Sequence, residues 1–298
     1  MRQRTWVPDG PLDVSLALAP HKRGGGDPAW RQTPDGAIWR TCRTPEGPAT
    51  MRVSVAGGRV RGDAWGPGAE WMLDGLPALL GAEDDTSGFE ARHDILREAV
   101  RRHAGLRIGR TGRVMEALVP AVLEQKVVGR EAWRAWRWLL ARYGEPAPGP
   151  APEGMRVVPE PSVWRQIPAW HWHRSGAETV RAKTIATAAW HAAKLEAAAT
   201  SEELDRLLRA LPGIGVWTSA EVRQRVFGDP DAISVGDYHL ATIVGYALTG
   251  EKTDDPGMLR LLEPYRGHRH RASLFLTLTG RRPPARGPRM AVRDYRSF

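Results

Sequence analysis

Apolar positions follow two different periods along the chain. Up to about residue 85 they alternate with polar ones, as in Leu12-Asp13-Val14-Ser15-Leu16-Ala17-Leu18 and Met51-Arg52-Val53-Ser54-Val55. Alternation is the period of a half-buried strand, so both segments predict strands. Gly24-Gly25-Gly26-Asp27-Pro28 and Gly57-Gly58 predict turns. The glycine triplet lacks the Gly-Lys-Ser/Thr ending of a phosphate-binding loop and reads as a plain turn. From about residue 86 the period becomes helical. Val114, Met115, Leu118, Val119, Val122, Leu123 and Val127 form one stripe, with Pro120 expected to kink it or end its first part. Trp133, Trp136, Leu139, Leu140 and Tyr143 form a second. Residues 144–161, rich in Pro and Gly, predict a loop. Further helices are expected over about 177–198, 202–210, 217–227, 238–248, 256–265 and 268–279.

The pattern predicts a mainly α protein: a smaller β-rich α+β domain over residues 1–85, a helical domain over 86–280, and a loosely ordered basic tail over 281–298. The 298 residues suffice for one large or two modest cores. No apolar run approaches a membrane span or a signal peptide, so a cytoplasmic protein without a membrane partner is expected. The single cysteine, Cys42, excludes an intrachain disulfide, a four-cysteine zinc site and an iron–sulfur cluster. The net charge of +9 suggests a polyanionic partner, although the tail alone, with six arginines and one aspartate, supplies +5 of it.

Candidate chemistry concentrates between Arg206 and Leu248. Leu207-Leu208-Arg209-Ala210-Leu211 ends a helix, Pro212-Gly213-Ile214-Gly215 turns tightly, and Val216-Trp217-Thr218-Ser219-Ala220 starts the next helix. Such a turn offers unpaired N–H groups at a helix N-terminus, and glycine lets a phosphate approach without a side chain in the way. By itself the turn is equally a ligand-free connection between helices. Asp237 then precedes the apolar run Tyr238, Leu240, Ile243, Val244 and Ala247, which is the place of a helix N-cap.

Together these residues resemble the helix-hairpin-helix (HhH-GPD) DNA glycosylase superfamily, and within it the bacterial 3-methyladenine DNA glycosylase II group. Leu211-Pro212-Gly213-Ile214-Gly215-Val216-Trp217-Thr218-Ser219 is similar to the family hairpin, with Ser219 where alanine is usual, and Asp237-Tyr238 follows at the family spacing, twenty residues after Trp217. Upstream, Leu118-Val119-Pro120-Ala121-Val122-Leu123-Glu124-Gln125-Lys126-Val127 is similar to the helix bearing an Ile-Leu-X-Gln-X-Val motif. The resemblance covers about residues 86–280.

The resemblance implies a base-excision-repair enzyme that hydrolyses the N-glycosidic bond of alkylated purines in duplex DNA after rotating the nucleotide out of the stack. Asp237 would be the catalytic carboxylate. Leu211, Pro212, Gly213, Ile214, Gly215 and Thr218 would grip DNA, and Gln125 and Lys126 would stand at the gap left by the flipped base. An apolar side chain is common at the position of Lys126, so lysine is a departure. Bifunctional members carry a Schiff-base lysine two residues after the second hairpin glycine. Here that residue is Trp217, which has no amine, so no lyase activity is expected.

Thirteen tryptophans are present. Trp217 and Tyr238 match aromatic pocket positions of the family, and Trp170 and Trp172 offer further ring faces for a cationic alkylated base. Trp133, Trp136 and Trp190 read more simply as core. In the last helix the family's aromatic pair is reduced to Phe275. His171/His173 and His268/His270 do not converge as zinc ligands. His268 and His270, among Arg266, Arg269 and Arg271, predict a phosphate-facing surface. No metal or cofactor is expected, although family hairpins can hold an alkali cation on backbone carbonyls. The expected partner is double-stranded DNA containing damaged bases, bound by a monomer associated with the nucleoid. Two alternatives stand beside this reading: a non-catalytic DNA-damage-binding module, and a glycosylase for oxidised or deaminated bases.

Overall fold

The computed structural model describes residues 1–284. From residue 285 onward the expected basic tail lies outside the described residues. The N-terminal part is an antiparallel sheet of β1 (Arg2–Trp6), β2 (Trp30–Gln32), β3 (Ile38–Thr44), β4 (Gly47–Ala56) and β5 (Arg59–Trp65), in the order β1-β5-β4-β3-β2. The alternating Met51–Val55 segment lies in β4, with Met51 opposite Ala64 on one side and Arg40 on the other. Ile38, Met51, Val53 and Val60 pack under Met72, Leu73, Leu76 and Leu80. Gly62 allows that close approach, since a Cβ there would stand 2.9 Å from methyls of Leu73 and Leu76.

The other expected strand is not one. Val14–Leu18 is a short helix, continued by a 3-10 turn at Ala19–His21. Asp13 decides this, because its side chain accepts from the Leu16 N–H at 2.9 Å and caps the first turn. Alternation over so short a segment was outweighed by that local hydrogen bond.

Helices after residue 86 form two packed groups. The first joins Val114–Leu123, Gly129–Tyr143, Pro161–Gln166, Ala169–Ser175, Thr179–Trp190, Ala192–Glu196, Ser201–Arg209 and Val216–Val226 around Leu118, Val122, Leu139, Trp164, Ile185 and Val222. The second joins Asp94–Arg102, Leu240–Thr249, Asp255–Leu262 and Arg269–Leu278 around Leu96, Val244, Met258 and Leu276. Pro120 does not break its helix, which runs through it to Leu123. The expected loop at 144–161 contains a short ribbon, Glu145–Pro146 paired with Arg156–Val157, and ends in the start of the Pro161 helix. Among the described residues no helix is long and apolar enough to cross a membrane.

Candidate active site

The hairpin forms where the pattern predicted it, between helices Ser201–Arg209 and Val216–Val226. Gly213 sits at φ +85°, a left-handed conformation that side chains rarely adopt, and a Cβ there would strike the Thr184 hydroxyl at 2.2 Å. Gly215 plays a different part. It precedes the second helix in extended backbone, is exposed, and has open space where a Cβ would point. A ligand oxygen can therefore approach the first N–H groups of that helix closely. Two loop carbonyls already accept a donor, Leu211 from the Ile214 N–H at 3.2 Å and Gly213 from the Gln125 amide at 2.9 Å. Each keeps a second lone pair, so the loop fits an alkali cation as one ligand shell among others.

Gln125 ties the end of helix Val114–Leu123 to the hairpin. Its Nε2 donates to the Gly213 carbonyl and also to Thr218 Oγ1 at 2.8 Å, and Thr218 is buried. Lys126 follows at the exposed tip of the turn, at φ +53°.

Asp237 lies where the two helical groups meet. Its Oδ1 accepts from the N–H groups of His239 and Leu240, both at 2.8 Å, which is N-cap hydrogen bonding. The regular helix begins slightly later than expected, at Leu240. Oδ2 is left to face the Trp217 indole, whose Nε1 donates to it at 3.4 Å. The segment leading to Asp237 is pinned from behind. Gln224, on the second hairpin helix, donates to the Ala232 carbonyl at 2.7 Å and to Ser234 Oγ at 3.0 Å. Ser234 in turn donates to Glu221 at 2.6 Å. Burial alone would raise the Glu221 carboxyl, but Arg225 and the Ser234 hydroxyl outweigh it and hold the group below its ordinary value. Gly236, at φ +89°, donates its N–H to Asp255 at 3.0 Å. None of these supporting residues stood out in the sequence. The available signal was polar Glu221 and Gln224 on a helix face that also carries Val222 and Val226.

The expected aromatic pocket is only partly assembled. Trp217 is half-buried beside Asp237, and Tyr238 is 80% exposed, its ring edge-on to His239. Trp172 is a correction: it is buried in the first core and stacks on Trp164, so it presents no face to a ligand. Trp170 is exposed on the same helix, with its ring against His171. Trp190 is the opposite correction, expected in the core but 70% exposed, with the Arg165 guanidinium 4.2 Å from its ring centre. Phe275 is buried, stacked on Phe89.

The cluster His268–Arg271 is not a phosphate-facing surface. His270 is buried, and burial pushes its pKa down to about 4. Arg271 is 1% exposed and pairs with Asp84, while Arg269 pairs with Asp231. These cations are already used inside the protein.

No family model matches the chain. A probable bifunctional transcriptional activator/DNA repair enzyme AlkA of Mycobacterium tuberculosis (strain CDC 1551 / Oshkosh) is 28% identical over 251 residues, which is 79% of this chain and 48% of that protein. The chain thus spans about half the length of the curated relatives it matches. Among solved structures, a 3-methyladenine DNA-glycosylase from Archaeoglobus fulgidus superposes with TM-score 0.76 at 17% identity, covering 93% of this chain and 97% of that one. An 8-oxoguanine glycosylase/lyase from Clostridium acetobutylicum, in complex with double-stranded DNA containing cytosine opposite 8-oxoG, gives 0.69 at 13% identity, covering 91% and 92%. By fold and by hairpin sequence together, this chain belongs to the helix-hairpin-helix DNA glycosylase superfamily and is AlkA-like within it.

Proposed function

We propose that the protein is a monofunctional DNA glycosylase that hydrolyses the N-glycosidic bond of alkylated purines in duplex DNA. The observation that carries this reading is Asp237, a carboxylate with one oxygen locked by backbone N–H groups and the other held beside an aromatic ring at the hairpin. The AlkA relative and the 3-methyladenine glycosylase neighbour support the substrate class.

In this reading the hairpin grips the phosphate backbone and the damaged nucleotide rotates out of the duplex. As the C1′–N bond breaks, its electron pair leaves with the base. The cationic alkylated purine departs neutral, so little proton donation is required. Positive charge develops on the sugar, and the Asp237 carboxylate stabilises it. Water adds to C1′ and its proton passes to Asp237 or to solvent, leaving free base and an abasic sugar. Trp217 occupies the place where a Schiff-base lysine would stand, so the backbone is left uncut.

The test is incubation of the wild type and Asp237→Asn with duplexes holding 3-methyladenine, 7-methylguanine, hypoxanthine or 8-oxoguanine. Release of alkylated bases by the wild type, lost in the variant, is expected. Release of only the last two would move the substrate to deaminated or oxidised bases. Duplex binding with no release of any base would overturn the enzyme reading in favour of a binding module. A strand nick with a borohydride-trapped adduct would contradict the monofunctional assignment.

A further inference from the structure

Lys126 is the one non-glycine residue at positive φ among the described residues. A residue with a side chain keeps such a conformation only where its surroundings over-determine it. Two braces come from the helical part. Gln125 donates to the hairpin, and the carbonyl of Gln125 accepts from Arg181 Nε at 3.3 Å. The third comes from the N-terminal part of the chain, far away in sequence.

Arg23 is buried, and its Nη1 stands 3.7 Å from Glu124 Oε1, two residues before Lys126. The same oxygen accepts from Trp133 Nε1 at 3.3 Å. Arg23 is itself held. Its N–H donates to Asp27 Oδ2 at 2.7 Å, and Asp27 Oδ1 accepts from Trp136 Nε1 at 2.8 Å and from the Ala29 N–H at 2.9 Å. Gly24 lies flat on Trp133, where a Cβ would come within 2.3 Å of the ring. At the other end, the Pro20 carbonyl accepts from Arg225 Nε at 3.0 Å, on the last turn of the second hairpin helix. Residues 20–27 therefore run as a strap from the hairpin helix to the turn that presents Lys126.

We propose that Arg23 is a positioning residue for that turn: acting through Glu124, it sets the conformation in which the Lys126 side chain enters the gap left by an extruded nucleotide. The proposal rests on the glycosylase reading above. Its physical basis is that the pair is sequestered from water, with side chains 8% and 20% exposed. Loss of either partner leaves the other charge uncompensated, and the turn must shift to rehydrate it.

The test needs no bond cleavage. A duplex carrying a tetrahydrofuran abasic analogue opposite 2-aminopurine reports insertion as a rise in fluorescence. The wild type is expected to give that rise. Arg23→Gln is expected to weaken the insertion step by about tenfold, as a small displacement of a positioned group does, with affinity for undamaged duplex unchanged. Arg23→Lys, which keeps the charge, recovers part of the signal. Glu124→Gln gives the same loss, and the double variant loses no more than either single one. In a Lys126→Asn background the effect of Arg23→Gln shrinks, because asparagine accepts left-handed backbone more readily.

A wild type with no fluorescence response would overturn the reading of the site itself. A wild-type response retained in full by Arg23→Gln and Glu124→Gln would overturn this proposal alone. So would strictly additive losses in the double variant. Equal weakening of damaged and undamaged duplex binding, with a lowered unfolding midpoint, would mark Arg23 as merely structural and overturn it too.

Discussion

The Trp217 indole N–H points at Asp237 Oδ2 across 3.4 Å, joining the hairpin helix of one helical group to the segment that opens a helix of the other. The two carboxylate oxygens thereby have separate duties. Oδ1 caps the Leu240–Thr249 helix through its first N–H groups, and Oδ2 stands toward the site. Charge and cap can therefore be removed independently.

Asp237→Asn keeps an acceptor for the His239 and Leu240 N–H groups but loses the negative charge. Asparagine caps about as well as aspartate, so thermal unfolding should change by less than about 0.5 kcal/mol. Single-turnover excision of an alkylated purine should fall at least ~100-fold. Asp237→Ala should lose the same activity and about 1 kcal/mol of stability besides. An Asn variant with wild-type excision would remove Asp237 from the chemistry.

Trp217→Phe keeps an aromatic ring and deletes the donor to Asp237. A hydrogen bond of this kind contributes about 1 kcal/mol, so excision should drop roughly fivefold with the fold intact. A variant as fast as the wild type would show that the ring alone is used.

Gly213→Ala places a Cβ 2.2 Å from the Thr184 hydroxyl in a backbone at φ +85°. Unfolding by urea should show a loss well above the ~1–2 kcal/mol of left-handed strain alone. Adding Thr184→Ala should recover the steric part and leave the strain. Full recovery would mean that the backbone conformation costs nothing.

Gln125→Ala cuts both links from the Val114–Leu123 helix to the hairpin. Stability should fall by about 1–2 kcal/mol. Affinity for duplex should fall as well, because the hairpin loses its register with the turn at Lys126. Fluorescence anisotropy with labelled duplex measures this, and an unchanged dissociation constant would sink the prediction.

His270 gives a pH dependence of stability. Burial depresses its folded-state pKa to about 4 from an ordinary 6.5. Between those values the unfolded chain binds a proton that the folded chain does not, so stability declines as pH falls from about 6.5 to about 4 and this contribution levels off below. The full span amounts to about 3 kcal/mol. His21, also depressed, first by its burial and then by Arg40, Arg225 and Arg23, adds in the same direction. Denaturant titrations at pH 7 and 5 should show the decline, with a shallower slope in His270→Gln. Equal slopes would assign the acid sensitivity elsewhere.

The sequence by itself determined the features that are local. The hairpin needs glycine at one position for φ and an open approach at another, and both needs are written in Pro212-Gly213-Ile214-Gly215. The carboxylate could be placed because twenty residues separate Trp217 from Asp237 and an apolar helical run follows. Helix positions after residue 86 were likewise legible in the 3.6-residue period. What only the tertiary structure decided is which face of each element meets another. Trp172 and Trp190 occupy similar helical contexts, yet one is buried against Trp164 and the other lies in solvent under Arg165. His270 and Arg271 look like a basic surface in sequence, but Asp84, nearly two hundred residues away, draws Arg271 inside. The supports of the site are of the same kind: Glu221–Ser234–Gln224 behind Asp237, and Arg23–Glu124 behind Lys126. A charge or amide is buried only where a distant partner satisfies it, and periodicity along the chain carries no record of that partner.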